Sequence, residues 1–80
     1  MPNPFENQLQ LQVYTDKPML MQARIVDMTG REVYTANNML HVGNNNLRLS
    51  SLSGLSAGVY MLQLLHQNEV VYKQQVQKIR

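Results

Sequence analysis

Leu9-Gln10-Leu11-Gln12-Val13-Tyr14 sets Leu9, Leu11 and Val13 on one face of an extended chain and Gln10, Gln12 and Tyr14 on the other. That period of two is the pattern of a half-buried β-strand. A helix would need apolar residues at i, i+3, i+4 and i+7, and no window of sufficient length sustains that spacing. The chain is therefore expected to be all-β.

Moving outward, Asp16, Lys17 and Pro18 end this strand, and Met19 to Asp27 forms a second one with Met21, Ala23 and Ile25 pointing inward. Asp27 to Gly30 is a turn: Asp at its first position can accept from a following backbone N–H, and Gly sits where positive φ costs least. A hairpin into a strand at Arg31 to Ala36 follows. Asn37-Asn38 predicts a turn, Met39 to Val42 a short strand, and Gly43-Asn44-Asn45 a further turn before a strand from Asn46 to Ser50 with Leu47 and Leu49 inward. Residues 50–58 form a longer connection with Leu52 and Leu55 tucked beneath it. Val59 to His66, a turn at Gln67-Asn68-Glu69, and a last strand from Val70 toward Ile79 complete the chain. Six or seven short strands, with turns every 8 to 12 residues or so, predict an immunoglobulin-like antiparallel β-sandwich of about seven strands.

Eighty residues make a single domain, whose folding buries only about 60 to 65 per cent of the surface of the unfolded chain. There is no cysteine, which removes disulfides, thiolate metal sites and a cysteine nucleophile. No apolar run approaches the roughly 18 residues of a membrane-spanning helix. Met1 directly before Pro2-Asn3-Pro4-Phe5 is consistent with a domain boundary, so residues 1–80 are expected to be one domain excised from a larger secreted protein.

The net charge of +2 is concentrated at one end. Residues 70–80 hold Lys73, Lys78 and Arg80 with no acid, whereas residues 1–69 are near neutral. A nucleic-acid binder needs a broad basic face, which this distribution does not supply. Lysines near the end of a chain also keep an edge strand from pairing with a neighbour, and that reading stands beside a role in recognition.

Gly58 separates a loop from a strand, a position where glycine supplies a backbone angle closed to other residues or admits a close neighbour. Tyr60, sharing a face with Leu62 and Leu64, is expected to bury its ring and send its hydroxyl to a backbone partner at the end of the sandwich. Val59, Met61 and Leu65 make the opposite face of the same strand apolar as well. Either a neighbouring loop covers them, the favoured reading, or a strip remains for a partner or for weak self-association.

Catalytic candidates are sparse. His41 and His66 are too few for a three-ligand zinc site, and His66 with Glu69 is a commonplace spacing. Ser50, Ser51, Ser53 and Ser56 lie in turn-rich sequence without a G-x-S-x-G elbow. Gly54 and Gly58 lack the Lys and Ser/Thr of a phosphate loop. No enzymatic activity, cofactor, metal or small-molecule substrate is expected.

Leu55-Ser56-Ala57-Gly58-Val59-Tyr60, together with Pro2-Asn3-Pro4-Phe5 and Asp27-Met28-Thr29-Gly30-Arg31, resembles the C-terminal sorting domain of type IX secretion, the Por-type domain, over nearly the whole chain. The resemblance implies an immunoglobulin-like fold in which Pro2, Pro4, Phe5, Asp27, Gly30, Gly58 and Tyr60 define the structure. It also implies a signal that takes a larger cargo through the periplasm and across the outer membrane to the cell surface or medium. The implied partners are the outer-membrane translocon and a sortase-like peptidase that removes the domain. Recognition is assigned to the end segment, with Lys73, Val76, Lys78, Ile79 and Arg80. Here the chain departs from the family pattern: Gln75 follows Tyr72 by three residues where a lysine is usual, and Gln77 breaks the usual β-branched pair. The competing reading is a non-catalytic immunoglobulin-like binding or spacer module, against which stands the absence of tryptophan and the presence of only five aromatic residues, Phe5, Tyr14, Tyr34, Tyr60 and Tyr72.

Overall fold

Seven strands and no helix make up residues 3–79, the part of the chain that the computed structural model describes. They are β1 (Asn3–Phe5), β2 (Leu9–Thr15), β3 (Met19–Val26), β4 (Glu32–Leu40), β5 (Gly43–Leu49), β6 (Gly58–His66) and β7 (Glu69–Lys78). A five-stranded sheet in the order β1-β7-β6-β3-β4 packs over a two-stranded sheet of β2 and β5. All pairings are antiparallel except β1 with β7, which is parallel. The result is the predicted β-sandwich.

The core lies between the sheets and follows the alternation in the sequence. Met21, Ala23 and Ile25 of β3, Tyr60, Leu62 and Leu64 of β6, and Val76 of β7 face Leu9, Leu47 and Leu49 of the small sheet. Ile25, Leu49 and Val76 are fully buried, each contributing on the order of 1.5–3 kcal/mol relative to exposure. Leu52 closes one end: its N–H donates to Asn7 O at 2.9 Å, and Leu55 packs against the same cluster.

The two asparagine turns predicted in the middle of the chain are not turns. Asn37 and Asn38 lie inside β4, opposite Gln22 and Met21 of β3. Leu40, 1% exposed, anchors the end of that strand in the core, and an unbroken ladder outweighs the local turn preference of asparagine. Gly43, Asn44 and Asn45 likewise belong to β5, opposite Thr15, Tyr14 and Val13. The chain changes sheets at His41 and Val42 instead. Asn45 holds that corner: its Oδ1 accepts from His41 N–H at 3.0 Å, and its Nδ2 donates to the carbonyls of His41 (2.9 Å), Gly43 (3.1 Å) and Val13 (3.3 Å).

The 50–57 connection turns toward the core through Leu52 and Leu55, while the turn residues Gln67 and Asn68 border Leu65 on the outer face of β6. Val59 and Met61 are half-buried among the side chains of adjoining strands, where Arg24 Nε donates to Gln63 Oε1 at 2.9 Å, and Leu65 is buried beside its cross-strand partner Gln22. The β6–β7 hairpin turns on Gln67 and Asn68, with φ of 52° and 66°, the two positive angles of a type I′ turn.

Candidate functional site

Three stretches far apart in sequence converge on one end of the five-stranded sheet. Phe5, Lys78 and Gly58 form a single cross-strand row, since Phe5 opposes Lys78 and Lys78 opposes Gly58. Two residues along, Val76 opposes Tyr60. The rings of Phe5 and Tyr60 meet edge to face with centroids 6.4 Å apart and an interplanar angle of 62°. Ile79 N–H donates to Phe5 O at 3.0 Å, so β1 clamps the last residues of the chain. Val26 opposes Met61, which brings the turn at Asp27 out at this same end.

Each stretch is held by its own local chemistry. Gly58 has a φ of +152°, and the space where a Cβ would sit has no atom within 4 Å, so glycine is required by the backbone angle and not by crowding. Tyr60 Oη donates to Ser56 O at 2.6 Å, tying the strand to the loop before it. In the turn, Asp27 Oδ1 accepts from Thr29 N–H (3.0 Å), Thr29 Oγ1 (2.6 Å) and Arg31 N–H (3.0 Å), while Arg31 Nε approaches Oδ2 at 3.2 Å. Gly30, at φ +88°, completes it. The hydrogen bond from the Thr29 hydroxyl, then that from the Arg31 N–H, holds the Asp27 carboxyl below its ordinary range.

The end segment divides by burial. Val76 is fully buried and Lys78 is 2% exposed, its stem on the inner face of β7. Lys73 and Ile79 are exposed. Pro4 is exposed beside the buried Phe5. Pro2 and Arg80 lie outside the described residues. The lysines are therefore not equivalent: Lys73 faces solvent, whereas Lys78 is part of the packing and its replacement is a core change.

A groove of about 470 Å³ opens on the side of the sandwich where β2 fails to cover β7, lined by Leu11, Val13 and Tyr14 on one wall and Leu64, Val71 and Tyr72 on the other. Sequence alternation could not reveal it, because it depends on how strands are shared between the sheets. No group of three His, Asp or Glu side chains able to hold a metal occurs among the described residues.

Residues 1–78 match the family described as the secretion system C-terminal sorting domain. The chain belongs to this family, the C-terminal sorting domains of type IX secretion. No curated protein and no solved structure matches it.

Proposed function

We propose that this chain is the C-terminal address of a larger secreted protein, read in the periplasm by the outer-membrane type IX translocon and afterwards removed by a sortase-like peptidase, leaving the cargo at the surface or in the medium. The domain performs no catalysis in this reading. The observation that carries it is the family match along residues 1–78, supported by the convergence of the three motif stretches beside the final strand.

Burial supports a division of roles within the end segment. Val76 and Lys78 hold the strand in place, and a folded domain offers Lys73 and Ile79 to its reader. In sequence the proposed recognition segment ends with the basic Arg80.

The test is a reporter exported to the periplasm and fused ahead of residues 1–80, expressed in a bacterium with type IX machinery. Surface delivery that survives Val76→Ile but is lost with Lys73→Gln together with Ile79→Ser supports recognition through the exposed end. Unchanged delivery by that double variant removes these side chains from the address. Delivery of the reporter without the domain overturns the proposal.

A further inference from the structure

From Tyr72 onward β7 alternates strictly. Val76 and Lys78 point into the core, while Lys73, Gln75 and Gln77 stand on the outer face of the five-stranded sheet, opposite Gln63, Met61 and Val59 of β6. Ile79, 47% exposed directly after the buried Lys78, prolongs this outer row. The exposed members of the end segment, Lys73 and Ile79, therefore share one face and lie about 20 Å apart along it.

Arg24 joins them from β3. It opposes Gln63 on one side and Lys73 opposes Gln63 on the other, so the three make a row across β3, β6 and β7 with the two cations about 10 Å apart, two strand spacings. Gln63 Oε1 accepts from Arg24 Nε at 2.9 Å and holds the guanidinium along the row. No acid neutralises this pair. Of the five acidic residues, Glu6, Asp16 and Asp27 lie between strands, Glu69 opposes His66, which lines the groove between the sheets, and Glu32 lies on the edge strand β4 opposite Val26. The one ion pair among the described residues joins Asp27 to Arg31. Over β3, β6 and β7 the outer face thus carries two cations and no acid, with apolar Val59 and Ile79 at the end where β1 clamps the chain.

We infer that this face is where the translocon docks, and that the docking partner is a protein surface placing carboxylates over Arg24 and Lys73 and an apolar side chain against Ile79. Charge complementarity carries the assignment: a pair of unneutralised cations held at fixed spacing on a rigid sheet selects an acidic partner and steers its approach. The inference rests on the proposed sorting role and adds to the address a residue, Arg24, that lies far from the end segment in sequence.

The reporter fused ahead of residues 1–80 tests it, with the fold of each variant checked by its urea midpoint. Arg24→Glu together with Lys73→Glu is expected to lower surface delivery by on the order of tenfold. Arg48→Glu together with Lys17→Glu makes the same change in net charge on the outer face of the small sheet and in the turn after β2, and should be delivered as wild type. Arg24→Lys keeps the charge, loses the bond to Gln63 and should still be delivered, whereas Arg24→Gln should be impaired. Normal delivery of the folded R24E/K73E variant overturns the inference, as does equal loss in the two charge-reversed pairs, or Arg24→Lys failing as badly as Arg24→Gln; in each case delivery of the wild-type fusion leaves the sorting role standing. Failure of the wild-type fusion overturns the sorting role and this inference with it. Pelleting of the domain with phosphatidylglycerol vesicles separates a protein partner from an anionic lipid. No binding is expected, because two basic side chains attract a membrane too weakly to hold the domain there. Binding that Arg24→Gln and Lys73→Gln abolish would overturn the assignment to a protein.

Discussion

The hydroxyl of Tyr60 donates to the carbonyl of Ser56 at 2.6 Å, spanning Gly58 and locking the loop to the strand where β1, β6 and β7 meet. Removing it with Tyr60→Phe keeps the ring against Phe5 and should cost about 1 kcal/mol, the net worth of one part-buried hydrogen bond. Urea denaturation is expected to show a lower midpoint at unchanged slope.

Gly58→Val tests the backbone beneath that bond. The site has room for a Cβ, so the cost expected comes chiefly from forcing a β-branched residue to φ +152°. A loss of about 1–3 kcal/mol is expected. An unchanged midpoint would show that the strand start relaxes freely.

Asn45→Ala removes one acceptor and the donor shared by three carbonyls at the corner between sheets. Asn45 is 7% exposed, and its partners at His41 and Val13 would be left short of hydrogen bonds. A loss of about 2 kcal/mol is expected in thermal or urea unfolding. Asn44→Ala, at an exposed neighbour, should change stability by under about 0.5 kcal/mol.

The Asp27 turn carries a pH dependence of known sign. Its carboxyl titrates lower in the folded chain than the ordinary value of 3.8, so its contribution is fully present above that value and is lost as pH falls through the lowered one. In acid titrations of stability, Asp27→Asn should flatten the loss in that window. An acid limb identical to wild type would place the titration elsewhere.

Legibility in the sequence followed the strength of the alternation. Leu9 to Tyr14 and Met21 to Ile25 declared their faces, and both faces are where the alternation set them. Asp27 and Gly30 marked their turn because the chemistry of that turn is local. Asn37, Asn38, Asn44 and Asn45 misled, because asparagine signals turns while pairing with distant strands decided otherwise. Asn45 spends its turn chemistry on the corner next to it. Asn3–Phe5 could not be read as a strand, since its partner Val76 to Lys78 lies at the opposite end of the chain. Lys78 looked like a surface charge for the same reason: its burial follows from its row with Phe5 and Gly58, not from its neighbours in sequence.

The central claim is that residues 1–80 are sufficient as an address. It is tested most directly by the protease accessibility, on intact cells, of a periplasm-exported reporter carrying this domain at its C-terminus, compared in matched strains with and without the type IX translocon. An accessible or released reporter is expected only in the strain with the translocon. A reporter held in the periplasm of both strains, with the domain folded, would contradict it and favour a binding or spacer module instead.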